Sequence, residues 1–244
     1  MYKLLTTLAL LLLIGHIQAQ EDEKPPSSVA VDLVYDNTFG FYPEIFGSIG
    51  VKKNFSFSFY GIYWTNPAYG SINLGGTDGW LETGIGAQWF WADGKVLFNP
   101  SIGVTHGKLL SGGERSAIAE GIVPNIELFY FGDRFELEFF NGYYKSIRKE
   151  GPVTTDFWLT WAYPGVFVHK NISLGVHYEH FIQTRVTGGE FQGLYYMLGG
   201  YIKASFNNGI FLRFSAGYNF VDESIGGYGR EFYRLATYVP FTIK

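Results

Sequence analysis

The sequence predicts an all-β fold, a transmembrane antiparallel up-and-down β-barrel of about 12 strands over residues 28–244. Three observations carry that prediction. Tight turns and long polar loops trade places along the chain, as a barrel with a short-turn periplasmic rim and a long-loop outer rim requires. The runs between them alternate apolar and polar residues over about ten or more positions, roughly twice the ~5–6 residues of an average strand. Aromatic residues make up 19% of the chain and Gly numbers 32, yet the mean hydropathy stays near neutral. A barrel averages a greasy exterior against a polar lumen, whereas a helical membrane protein is far more apolar.

The chain opens Met1-Tyr2-Lys3, followed by an apolar run over residues 4–17 and the small-residue close Ile17-Gln18-Ala19-Gln20. This reads as a secretory signal peptide over residues 1–19. The run falls short of the ~20 apolar residues of a spanning helix. Residues 20–27 form a charged, proline-interrupted periplasmic leader that does not fold by itself. The absence of Cys excludes lipoprotein anchoring, disulfides and thiolate metal sites. Loss of Lys3 with the signal peptide takes the basic residues from 18 to 17 against 22 acidic ones, a mature net charge of -5. Nucleic acid is therefore not an expected partner, since its binding surfaces are basic.

Strands are expected at 28–37, 42–53, 55–65, 79–92, 95–107, 117–131, 134–146, 155–169, 172–184, 193–207, 209–221 and 231–243. The tight turns are Lys52-Lys53-Asn54, Ala92-Asp93-Gly94, Gly132-Asp133, Lys170-Asn171 and Asn207-Asn208-Gly209. With an even strand count they share one rim with both chain ends. The long segments 66–79, 107–117, 146–155, 184–193 and 222–231 share the other. Alternation sets the faces. In 209–221, Ile210, Leu212, Phe214, Ala216, Tyr218 and Phe220 oppose Arg213, Ser215, Gly217 and Asn219. In 172–184, Ile172, Leu174, Val176 and Tyr178 oppose Ser173, Gly175, His177 and Glu179. Pro43, Pro100, Pro124, Pro164 and Pro240 each remove a ladder donor and are expected at bulges or rims.

The chain finishes Tyr238-Val239-Pro240-Phe241-Thr242-Ile243-Lys244. Here it resembles bacterial outer-membrane β-barrel proteins, whose last strand alternates apolar residues and usually ends on an aromatic. Phe241 and Ile243 keep the alternation, and Lys244 departs from the usual terminal aromatic. The resemblance implies location in the bacterial outer membrane and recognition of the last strand by the barrel assembly machinery. Strand number and size also resemble the twelve-stranded nucleoside-channel class and related porin-like families, at the level of architecture.

The lumen is expected to carry Asp32, Glu44, Glu82, Glu127, Glu136, Glu138 and Glu179, with His177, against Lys203, Arg213 and Arg234. Aromatic residues assigned to the same face are Phe46, Tyr60, Phe90, Phe129, Phe140, Tyr144, Trp158, Phe181, Tyr195 and Tyr201. Two readings follow. The charged groups either pair in a network that fills a narrow barrel, or they line a wet channel for cations or small polar solutes. Barrels of about eight strands are filled and those of sixteen are open, so twelve is intermediate. Tyr60, Tyr195 and Tyr201 beside carboxylates suit a polar solute held by stacking and hydrogen bonding.

Signals for chemistry are sparse, and no enzyme activity, metal or cofactor is expected. An outer-membrane lipid-modifying enzyme would need a His activating a Ser or acting as base. His106 near the outer rim, with Ser101 and Thr105 on neighbouring lumen-facing positions, is the one such arrangement weighed. His177 and His180 fall on opposite strand faces and do not share a metal. Gly84-x-Gly86, Gly199-Gly200 and Gly226-Gly227-x-Gly229 precede no helix, so they are not phosphate loops. Lys145, Arg148 and Lys149 form a basic outer-rim cluster, solvated or facing lipopolysaccharide phosphates. The functional expectation is a narrow porin-like channel. Its alternatives are an occluded structural subunit with a protein partner in an envelope complex, and the lipid-modifying enzyme.

Overall fold

The computed structural model describes residues 25–65, 79–189, 192–221 and 230–243. Its elements are β1 (Ser27–Asp36), β2 (Gly40–Lys52), β3 (Phe55–Trp64), β4 (Trp80–Trp91), β5 (Val96–Gly107) and β6 (Ala117–Phe131), then β7 (Phe135–Ser146), β8 (Thr155–His169), β9 (Ile172–Val186), β10 (Gln192–Ser205), β11 (Phe211–Asn219) and β12 (Glu231–Ile243). Each strand pairs antiparallel with its sequence neighbours, and β1 pairs with β12 to close the cylinder. Closure satisfies every ladder and leaves no edge, the condition for crossing lipid with strands. The signal peptide expected over 1–19, residues 20–24 of the leader and the loop segments 66–78 and 222–229 lie outside the described residues.

The turns on the rim shared with the chain ends are short, as alternation requires. Ala92 and Asp93 take left-handed backbone, φ 52° and 56°, the mirror-image turn geometry that matches strand twist. On the opposite rim the connections 108–116 and 147–154 are long, but the one between β1 and β2 departs from the expected alternation. Only residues 37–39 join β1 to β2. Asp36 Oδ1 accepts the backbone N–H groups of Thr38 (2.9 Å) and Phe39 (2.6 Å), an Asx-type turn. Gly40 follows at φ 73°, and Phe39 is left buried inside the mouth.

The apolar face looks outward. Leu33, Ile45, Ile85, Leu198, Ile202, Leu212, Phe214 and Leu235 are all exposed on the cylinder's exterior. Aromatic girdles flank them. Tyr178, Tyr196, Tyr218 and Phe220 form an edge-to-face run near the outer rim. Phe55, Trp89, Phe98 and Trp91 form a second run of ring contacts, from edge-to-face to stacked, on the rim of the short turns. Ile85, 67% exposed in mid-strand, tests the face directly. Arg at that position is expected to cost about 2–4 kcal/mol in urea unfolding from lipid vesicles. A neutral result would contradict contact with lipid.

Two expectations are corrected. Trp158, assigned to the lumen, is 42% exposed on the exterior. A bulge between Asp156 and Phe157 puts both of those side chains inside and shifts the rest of β8 by one position. The prolines also hold different places. Pro43, Pro100 and Pro164 stand opposite Leu33, Ile126 and Leu137 within continuous ladders rather than at bulges or rims.

Candidate functional site in the barrel lumen

The outer third of the lumen is stoppered by side chains. Phe39 packs 5.0 Å from the Trp64 ring, which stacks on Tyr42 at 4.7 Å. Phe157 stacks on Phe181 at 4.9 Å, and Phe181 on Tyr195 at 5.6 Å. Leu110, from the 108–116 connection, is fully buried in this cluster. Among Phe39, Trp64, Trp80, Leu109, Tyr144, Leu159 and Phe181 there remains an apolar gap roughly the size of a water molecule. Its lining favours a dry gap.

A buried carboxylate pins the stopper. Glu120 is 0% exposed and accepts the N–H of Leu110 (3.0 Å), the N–H of Ser111 (2.9 Å) and the Ser111 hydroxyl (2.8 Å). The Trp80 indole N–H also donates to it. A bulge opposite Thr105 and Gly107 turns Glu120 inward, with Ala119 in left-handed backbone at φ 53°. Glu120 was absent from the sequence expectation because the bulge breaks the parity that assigns faces.

Below the stopper, an ion-pair network spans the wall from β7 to β12. Lys203 pairs with Glu136 and, at 3.2 Å, with Glu138. Arg213 pairs with Glu138, and its guanidinium lies 3.9 Å over the Tyr163 ring. Because β7 is three strands from β10 and four from β11, these bridges reach across the lumen rather than along the wall. Arg234 donates to Glu179 (2.5 Å), Asp36 (3.0 Å) and the Tyr163 hydroxyl (2.8 Å). The Tyr195 hydroxyl donates to Glu179 (2.5 Å), and His177 Nε2 lies 3.1 Å from the same carboxylate. Tyr201 lies flat over Gly165 and Gly175, where a Cβ would collide with its ring, and donates to Glu136 at 2.8 Å. Asp36 and Tyr163 belong to this network although the alternation did not single them out.

The wall from β1 to β6 is different in kind. Tyr60 lies over Gly84 and Gly103 and donates to Glu82 at 2.7 Å. Asn125 Nδ2 donates to the Tyr60 oxygen (2.9 Å), and Asn99 Nδ2 to Glu127 (2.6 Å). Glu44 stands opposite Asp32 across the β1–β2 ladder. Among the described residues no Lys or Arg forms an ion pair with Asp32, Glu44, Glu82 or Glu127. The lumen therefore has one neutralised wall and one bare acidic wall.

The outer rim binds its charges locally. Asp156 accepts Arg185 through both oxygens at 2.7 Å and Lys145 at 2.8 Å. Arg148 pairs with Glu150. His106 sits opposite Leu81 on the outward face, where its Nδ1 accepts the Ala119 N–H at 3.3 Å. Thr105 and Ser101 face the other way, so the arrangement weighed for acyl transfer is not brought together. His180 is also outward, its Nδ1 2.6 Å from the Tyr178 hydroxyl and its ring edge-on to Trp158.

The chain belongs to a family of unknown function, DUF6733, whose model matches residues 1–241. No curated protein matches it. Among solved structures, it is similar to the NanC porin, at 9% identity and a TM-score of 0.51 over 88% of this chain and 99% of that one. It is also similar to an outer-membrane channel from Pseudomonas putida F1, at 9% identity and a TM-score of 0.53 over 93% of this chain and 98% of that one. At such identity the likeness is one of fold. With the closed cylinder and its outward apolar face, it makes the chain a twelve-stranded β-barrel of the fold these outer-membrane proteins share.

Proposed function

We propose that this DUF6733 barrel is a narrow, stoppered channel for small polar or cationic solutes and not an enzyme. The observation that carries this reading is the charge asymmetry of the lumen. Lys203, Arg213 and Arg234 neutralise one wall, while Asp32, Glu44, Glu82 and Glu127 face the axis without a basic partner. A bare acidic wall attracts cations and repels anions. Half-buried Glu44 and Glu127 meet a solute first, and Tyr60 and Asn99 beside them supply hydrogen bonds in place of its hydration. Most of the stopper's rings stand on strands, but Phe39 belongs to the 37–39 turn and Leu110 to the 108–116 connection. Those parts can move without breaking a barrel ladder. Passage then needs no cofactor, only a solute gradient. Lipid, lipopolysaccharide at the Arg148 and Lys149 rim, and the assembly machinery are the partners such a barrel requires.

A second reading, an occluded structural subunit of an envelope complex, draws support from the bridges of Lys203 and Arg213 across the lumen. Planar-bilayer recording separates the two. Wild-type protein is expected to give small, cation-preferring steps, and Phe39→Ala larger ones. In a KCl gradient, Glu44→Gln with Glu127→Gln is expected to move the reversal potential toward zero. Silence from both wild type and Phe39→Ala would overturn the channel and leave the structural subunit.

A further inference from the structure

We propose that Asp32 and Glu44 form a site for a divalent metal cation of the hard, oxygen-seeking class inside the barrel. The inference rests on the cation-preferring reading above and gives it a location. The two residues are direct partners across the β1–β2 ladder, which sets their Cβ atoms about 4.5–5.5 Å apart on the lumen face. Asp32 is only 7% exposed, and its Oδ1 has no hydrogen-bond partner. Glu44 is half-buried and makes no ion pair or side-chain hydrogen bond among the described residues.

Two carboxylates placed opposite each other repel, and a buried anion needs a compensating partner. The protein's own cations make their direct ion pairs with other carboxylates, and Arg213 acts on Asp32 only at a distance. Arg213 is held by Glu138 and the face of Tyr163. Arg234 is held by Glu179, Asp36 and the Tyr163 hydroxyl. Lys203 sits between Glu136 and Glu138. Tyr238, the other cross-strand neighbour of Asp32, brings no positive charge. A divalent ion neutralises both carboxylates at once, and the open side at Glu44 leaves room for the water ligands such ions retain.

The test uses the full-length protein refolded in detergent, without any current measurement, so a silent bilayer leaves this inference standing. Radiolabelled calcium in equilibrium dialysis and thermal unfolding in CaCl2 against EDTA are the two readouts. Wild type is expected to bind one calcium per barrel and to melt higher in CaCl2. Asp32→Asn with Glu44→Gln is expected to lose both effects, while Asp133→Asn on the exposed Gly132-Asp133 turn keeps them. Should the double variant fail to refold, Glu44→Gln alone is expected to bind roughly tenfold or more weakly. Absence of calcium binding by wild type, with identical melting in EDTA, overturns the site. Undiminished binding by the Glu44→Gln or double variant overturns it as well.

Discussion

Arg234→Leu is expected to lower the folding free energy by about 3–5 kcal/mol, because it strands buried anions without their cation. Asp36 and Glu179 are each 2% exposed, and Arg234 is the basic side chain that pairs with both. The Tyr163 hydroxyl and the Asp36 turn would lose a partner in the same step. Urea unfolding from lipid vesicles measures the loss. Adding Glu179→Gln to Arg234→Leu is expected to recover part of it, since one stranded charge is then removed. A single variant within about 1 kcal/mol of wild type would mean that water reaches these groups and the network is not a closed one. That outcome would also undercut the neutralised wall on which the charge asymmetry depends.

Glu120→Ala is expected to release the stopper while the barrel stays closed. The substitution strips the acceptor from the N–H groups of Leu110 and Ser111, the Ser111 hydroxyl and the Trp80 indole. Each buried donor left unmade costs about 1–3 kcal/mol, enough in sum to favour an unlatched connection over a seated Leu110. None of these bonds belongs to a strand ladder, so the cylinder itself is spared. Two measurements follow. Trypsin is expected to cut the variant at Lys108 many times faster than wild type, and bilayer steps are expected to grow larger and more frequent. Glu120→Gln, which keeps one acceptor oxygen, is expected to fall between the two. Unchanged cleavage together with unchanged conductance would show that the apolar packing of Leu110, and not its carboxylate latch, holds the mouth shut.

Much of this barrel is legible in the chain because strand physics is local. Period two assigns a face to every residue of an uninterrupted strand, which is why Glu82, Glu179, Lys203 and Arg213 could be placed inward from spacing alone. Turn chemistry is local too, and Ala92-Asp93-Gly94 and Asn207-Asn208-Gly209 mark hairpins wherever they occur. Parity fails where the pairing register shifts. Glu120 lies within such a shift and Trp158 just past one, so alternation gives both the wrong face. The short 37–39 connection was readable in Asp36-Asn37-Thr38-Phe39-Gly40, whose Asp and Gly are turn formers, but its placing of Phe39 inside the mouth was not.

By itself, then, the sequence determined that this protein is a membrane cylinder, which face each regular strand turns to lipid, and that the interior carries more acid than base. Only the tertiary structure decided which acids are neutralised. Whether Lys203 reaches Glu136, or Arg234 reaches Glu179, depends on how far the strands are sheared as the sheet closes. Closure brings together residues tens of positions apart in the chain, and no local periodicity encodes that distance. The β1–β2 hairpin set Asp32 beside Glu44, and the folded connections carried Leu110 and Phe39 into the mouth.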